Sequence, residues 1–225
     1  MNFYPVKLFR KFFYEDPDAV RTFALSQKYQ SRRELKDAKY VFPGCRSKDL
    51  STINKPLFEN VSKKIISLFH NPENDFMGWT IATSFQSVSE EYGQGVIHTD
   101  TNTVFAAVLY LTPNAPLNSG TSLFKPNQHF DEERYQWYLK ENDKRFIDGQ
   151  VVMDTSYHNM FDEIVTVNNV YNTLILYEGR HYHAANKFFG KTLKDSRLAQ
   201  VFFVSKIDAQ KYSSFPVWRS QQVKV

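Results

Sequence analysis

The sequence predicts a mainly β fold, a barrel or sandwich with helices packed outside one sheet, on three observations. Two stretches in the first third carry helix caps and a one-sided apolar pattern. From Trp79 onward the apolar residues switch to a period of two. Strand-like apolar runs then recur as far as Lys206, and helices followed by many strands is the order that sets helices against an antiparallel core. Twenty Phe and thirteen Tyr against eight Gly also favour pleated, half-buried surfaces.

Taken in order, residues 5–13 read as a short strand. Asp16-Pro17 is a helix start, a capping acid followed by proline in the first helical position, and the helix runs to about Lys28. A polar, arginine-rich loop extends through Asp49. Asn54 caps a second helix opening at Pro56, with Phe58, Val61, Ile65 and Phe69 on one face, ending near His70-Asn71-Pro72. His70 reads as a helix-end residue rather than a ligand. Trp79, Ile81, Thr83 and Phe85 then alternate with Thr80, Ala82, Ser84 and Gln86, the signature of a strand.

A turn at Tyr92-Gly93-Gln94-Gly95 leads into Val96-Ile97-His98. Phe105 to Leu111 is a strand buried on both faces, and Thr121 to Phe124 a brief one. The polar stretch from Asn127 to Asn159 holds a helix from Asp131 to about Lys144 and is too long for an ordinary hairpin connection. Within it Tyr135, Trp137 and Tyr138 are expected to pack, while His129 and His158 are expected to be solvated, with a place beside the substrate opening as the alternative for either. Strands resume at Glu163–Val167, Asn172–Tyr177 and Leu198–Lys206.

With 225 residues, 42% of them apolar, the chain can bury one core, and nothing demands a second domain. The expected unit is 1–225, with a helical N-terminal part over 1–75 and a β core over about 76–210. The formal charge of +4 is dispersed, so a solvated surface accounts for it and nucleic acid is not expected as a partner. Cys45 is the sole cysteine, which excludes a disulfide framework and a thiolate cluster. Lys7, Arg10 and Lys11 interrupt the apolar N-terminus, so no signal or membrane segment is expected and a cytoplasmic protein is.

The chemistry concentrates in two places. In His98-Thr99-Asp100, an extended chain turns the imidazole and the carboxylate to the same side. Six histidines and twenty-four acids could supply such a pair by chance, so the pair alone is weak. The second place strengthens it. The strand Asn172–Tyr177 leads into Glu178-Gly179-Arg180-His181-Tyr182-His183, and Arg197 follows at the start of the apolar run Leu198–Val204. An arginine pointing inward there needs an anionic partner.

Two histidines and one carboxylate make a facial triad that suits Fe(II) and leaves three positions open. A 2-oxo acid can chelate two of these and leave the third for dioxygen. Its distal carboxylate then requires a fixed bidentate donor, which the planar guanidinium of Arg197 supplies. Either His181 or His183 can complete the triad, since both share one face of a strand. The rival reading is a non-catalytic β-barrel that binds a ligand or partner, for which Arg197 would have no purpose.

With these residues in view, the sequence resembles the 2-oxoglutarate/Fe(II)-dependent dioxygenase superfamily. The resemblance rests on Tyr92 ahead of His98-x-Asp100, the strand Ala106–Leu111, the segment Ser119-Gly120-Thr121-Ser122-Leu123-Phe124, His183 followed by Gly190, and Arg197. The prolyl-hydroxylase-like branch is nearest, and within it a bacterial and phage group carrying YNxLILY, HAA and RLxQVFF. The resemblance spans roughly 79–206. Ser119 departs from it, standing where the pattern has the first of two glycines, and Gly190 lies further from Arg197 than in prolyl hydroxylases.

The resemblance implies a double-stranded β-helix (jelly-roll, cupin-like) core. It implies His98, Asp100 and His183 as iron ligands, with His183 preferred over His181 because of the Ala-Ala and Gly that follow it. Arg197 would anchor 2-oxoglutarate, with Tyr92 or Tyr110 bonding the same co-substrate. The implied activity is hydroxylation of a peptide side chain or small molecule, with release of succinate and CO2. Asp100 argues against halogenation, because halogenating relatives lack that carboxylate.

Overall fold

Strand residues of alternating character build two faces, and the two faces define everything that follows. The structure, a computed structural model, describes residues 7–9, 13–35, 41–68 and 77–209. The larger sheet contains β1 (Lys7–Phe9), β2 (Tyr29–Ser31), β3 (Cys45–Ser47), β4 (Met77–Val88), β5 (Phe105–Tyr110), β8 (Leu174–Glu178) and β10 (Arg197–Ala209), in the spatial order β1-β8-β5-β10-β4-β3-β2. The smaller contains β6 (Thr121–Pro126), β7 (Phe161–Val167) and β9 (Tyr182–Ala185), in the order β7-β6-β9. All pairings are antiparallel. This is the jelly-roll core.

The period of two sorts side chains between the faces. On β5 and β8, Ala106, Tyr110, Ile175 and Tyr177 turn inward and meet Leu123 and Val167 of the smaller sheet. Their neighbours Phe105, Ala107, Leu109, Leu174 and Leu176 turn outward, where Val20, Ala24, Val61 and Ile65 of two helices cover them. Burying such aliphatic side chains contributes about 1.5–3 kcal/mol each. That outer layer is the main apolar core of the molecule.

The helices start where their caps dictate. In α1 (Pro17–Leu25) Asp16 accepts from the Ala19 amide at 2.9 Å, and Pro17 occupies the first turn. It stops short of the expected Lys28, because Ser26 and Gln27 turn their side chains back onto the Phe23 carbonyl. The cap of α3 (Lys55–Ser67) is Asn54, which accepts from Leu57 N at 3.1 Å, and Val61 and Ile65 are its buried face. The expected end near His70 and the contribution of Phe69 lie outside the described residues.

The stretch read as a polar loop through Asp49 holds two strands, β2 and β3, and is followed by a one-turn helix, α2 (Leu50–Ile53). The strands are three residues each at the sheet edge, too short for any period to show. In α2 the Asp49 carboxylate accepts from Ser51 N at 2.8 Å and, with its other oxygen, from Thr83 N at 2.9 Å, so one acid both caps the helix and pins it to β4.

The insert between β6 and β7 forms α4 (Glu132–Ile147), capped by Asp131 on Arg134 N at 2.8 Å, with Glu132 and Glu133 in its first turn and Lys144 and Arg145 in its last. It lies on the outer face of the smaller sheet. Tyr135, Tyr138, Tyr157, Met160, Phe161 and Ala184 make a buried aromatic cluster there, with Phe124, Phe130 and Tyr182 packed around it. Tyr135 and Tyr138 pack as expected, whereas Trp137 is 55% exposed. Both sheets are therefore backed by helix, and the space between them is left for the site.

Candidate metal centre

The site is assembled at the end of the barrel where the chain crosses from β4 to β5. The segment Val96–His98 makes a single bridge: His98 N donates to His183 O at 3.1 Å, and His183 N to His98 O at 2.9 Å. Asp100 is then drawn in by its amide, which donates to Gly179 O at 2.7 Å. Gly179 is required for this approach, since a Cβ there would run into the Thr103 carbonyl and crowd that of Asp100.

His98, Asp100 and His183 converge, with one ligand atom from each lying within 4.8 Å of the others. Nε2 of His98 is 3.8 Å from Oδ1 of Asp100, and Nε2 of His183 is 3.5 Å from Oδ2. The ring centroids are 4.3 Å apart. Nδ1 of His98 lies 2.9 Å from Val96 O, and Nδ1 of His183 lies 2.9 Å from His181 O. A carbonyl only accepts, so each Nδ1 carries the proton and each Nε2 offers its lone pair toward Asp100.

Burial pushes His183 down to about 4, with His98 adding to the shift and Asp100 opposing it, which keeps the ring neutral at physiological pH. Three N and O donors around one ion at about 2.0–2.2 Å stand roughly 3 Å apart when mutually at right angles. The observed spacings need only small rotations to reach that. The donor set of two neutral imidazoles and one carboxylate is the set that suits non-haem Fe(II). His181 is buried on the same strand segment, but it contributes its carbonyl to His183 and is not part of the cluster.

Arg197 lies at the other end of the same interior. It is 5% exposed, and Nε donates to Ser119 O at 3.0 Å, while Nη2 reaches Gly120 O and Thr121 Oγ1 at 3.4 Å. Its guanidinium sits 5.4 Å from the Tyr110 ring centroid, and the Tyr110 hydroxyl donates to Thr121 Oγ1 at 2.9 Å. Among the described residues no carboxylate ion-pairs with it. Of the two tyrosines expected beside Arg197, the structure brings up Tyr110. Tyr92 instead packs against Phe146 and Phe188, because the one-turn helix Glu90–Tyr92 aims it at that cluster.

Three residues escaped the sequence reading. Tyr177 stands between the two halves of the site. Its ring centroid is 4.6 Å from that of His183, and burial raises its hydroxyl well above the usual range, with Asp100 and Tyr110 adding to the rise and Arg197 opposing it. Its inward position follows from Ile175 by the period of two, a signal masked because both faces of β8 are apolar. The second, Arg46, was submerged in the arginine-rich loop.

The third is His158, which is not solvated as expected. Its Nε2 accepts from Ile97 N at 3.2 Å, and burial pushes it down to about 4. Tyr157 and Tyr135 donate to Ile97 O at 2.9 and 3.4 Å. The insert thus grips the residue preceding His98 on both its amide and its carbonyl. His129 is exposed, as expected.

HygX from Streptomyces hygroscopicus with nickel and 2-oxoglutarate bound aligns at a TM-score of 0.53 with 10% identity, over 89% of this chain and 82% of that one. HygX with nickel, 2-oxoglutarate and hygromycin B aligns at 0.53 with 11% identity, over the same shares. A prolyl hydroxylase from Trichoplax adhaerens in complex with a hypoxia inducible factor peptide aligns at 0.49 with 12% identity, over 89% and 83%. At 10–11% identity the likeness to HygX is one of fold, the double-stranded β-helix. No curated protein sequence matches. No helix among the described residues is long and apolar enough to cross a membrane. A family model does match, over residues 11–196, and by that match the chain belongs to the family of unknown function DUF6445.

Proposed function

We propose that this chain is an Fe(II)- and 2-oxoglutarate-dependent dioxygenase that hydroxylates a peptide side chain or a small molecule. The observation that carries the proposal is the pairing, inside one barrel, of a three-donor cluster with a buried arginine that has no carboxylate among the described residues. Each is half of a site for a chelating dianion. HygX, whose structures hold nickel or iron and 2-oxoglutarate, shares the fold and supports this reading.

His98, Asp100 and His183 would hold the iron. Arg197 would fix the distal carboxylate of 2-oxoglutarate, with Tyr110 positioning the guanidinium and Tyr177 offering a hydroxyl along the way. Iron so held would supply the oxidative decarboxylation of 2-oxoglutarate to succinate and CO2, coupled through dioxygen to oxidation of the substrate. The protein's share is to orient. The two Nδ1–carbonyl bonds fix the ring planes, and Ile175, Leu123 and Val167 keep the interior dry, which strengthens every charge interaction there.

The test is anaerobic addition of Fe(II) and 2-oxoglutarate to metal-free protein, expected to give a visible charge-transfer band. Asp100→Ala should abolish metal binding. Arg197→Gln should spare the metal and weaken 2-oxoglutarate by about 10–100-fold, the worth of a charge-assisted bidentate contact. Equal loss of metal and co-substrate in Arg197→Gln would contradict the roles assigned.

A further inference from the structure

A second, half-buried arginine faces the same interior, and Arg197 does not account for it. Arg46 sits on β3 in register with Gln86 of β4, and its Nη2 reaches Gln86 Oε1 at only 3.4 Å. Gln86 spends its own amide on Pro43 O at 2.9 Å. The guanidinium carbon lies 4.3 Å from the Phe42 ring centroid and 5.3 Å from that of Phe203. Nε is buried without a hydrogen-bond partner. Among the described residues no carboxylate ion-pairs with Arg46.

The strand register says where this group points. Phe203 pairs with Ala106, and Ala106 pairs with Tyr177, the residue packed on His183. Arg46 therefore leaves its strand at the level of Tyr110 and reaches along the interior to the level of the metal cluster. Asp100 is the charge that acts on it, partly opposing the burial that lowers its pKa to about 10. A guanidinium held between aromatic faces, with an unmet donor, is built to receive an anion.

Charge balance excludes the co-substrate as that anion. On the proposed function, on which this inference rests, a divalent iron, Asp100, the doubly charged 2-oxoglutarate and Arg197 neutralise one another. Arg46 remains as an uncompensated, half-buried cation whose Nε is shut off from water without a partner, an arrangement that an arriving anion would relieve. We infer that Arg46 is the recognition point for an anionic group on the substrate, a carboxylate or a phosphoryl group. The substrate is thereby an anion whose charged group lies beside the metal cluster and opposite the Arg197 subsite.

The experiment loads full-length protein with Mn(II) and saturating 2-oxoglutarate, then follows paramagnetic relaxation of carbon-13 acetate and of phosphorus-31 in methylphosphonate. Saturable relaxation is expected in the wild type for one probe or both, and the tighter one names the group. Arg46→Gln should weaken that binding about tenfold or more, and Arg46→Lys should retain part of it, with Mn(II) and 2-oxoglutarate affinities unchanged in both. Relaxation that survives Arg46→Gln places the anion on the metal and overturns the inference. A parallel loss of Mn(II) affinity makes Arg46 a support for Asp100 and overturns it too. Wild type that binds Mn(II) and 2-oxoglutarate but relaxes neither probe overturns this inference alone. Wild type that takes up neither overturns the proposed function with it.

Discussion

Replacing Tyr157 by Phe removes one of two hydroxyls that hold the Ile97 carbonyl next to His98. Tyr157 and Ile97 are fully buried, so water does not take the vacated place. The Tyr157 hydroxyl donates at 2.9 Å, whereas that of Tyr135 reaches the same oxygen at 3.4 Å, near the limit of a useful bond. With Tyr135 still present, Tyr157→Phe should cost about 1 kcal/mol, the net worth of an ordinary neutral hydrogen bond, and Tyr135→Phe about half that. The double variant strips the carbonyl of both hydroxyls, and the penalty should rise to about 2–3 kcal/mol. The double-mutant cycle therefore carries a coupling of roughly 1 kcal/mol. Urea unfolding of the four metal-free proteins measures it, and Ni(II) titration of the same samples should show the double variant about tenfold weaker, as loss of outer-shell support does elsewhere. Strict additivity with unchanged Ni(II) affinity would refute the idea that the insert holds His98 in place.

Other perturbations act on separate supports. Gly179→Ala forces apart the Asp100 segment and the end of β8, so Ni(II) binding should fall sharply while the circular dichroism of the strands persists. His158 is neutral in the folded protein and pushed down to about 4, so below about 6.5 the unfolded chain binds a proton the native one refuses. Stability should thus fall as the pH drops from about 6.5 through 4, and His158→Gln should flatten that part of a urea-midpoint profile; an unchanged slope would assign the loss elsewhere. Asn172 holds φ at +59°, and its side chain bonds both N and O of Tyr14 at 2.9 and 2.8 Å. Asn172→Ala should cost about 2–4 kcal/mol by thermal or chemical melting, two buried bonds plus left-handed strain.

What the sequence revealed depended on whether polarity alternated. His98 and Asp100 could be paired by eye because a strand turns residues two apart to one side, and the long β10 stood out as an apolar run opened by a charge. Where both faces of a strand are apolar, alternation vanishes, and so Tyr177 was read as the end of a buried run rather than as the wall of a site. Arg46 was hidden for the opposite reason: β2 and β3 are short and polar, and only pairing with β4 tells which arginine of that stretch points inward. His158 was read from the polarity of its neighbours, although its burial comes from α4 folding over the smaller sheet, a contact between segments that local composition does not encode. Tyr92 precedes His98 by six positions, yet the intervening turn sends it to a different cluster.

Both rings of the candidate metal centre are tethered to a carbonyl two residues earlier in their own segment, His98 to Val96 and His183 to His181. The tilt of each ring about its own segment is therefore a short-range property, independent of which ion follows, while the insert sets where the His98 segment lies. Such a centre behaves as a socket and not as a clasp. An ion entering it meets little rotamer entropy still to be lost, and it should add stability only through mass action, by RT ln(1 + [M]/Kd), without remaking the fold. Metal-depleted chains should accordingly persist as folded, loadable apoprotein, and exchange between ions of similar size should proceed without unfolding.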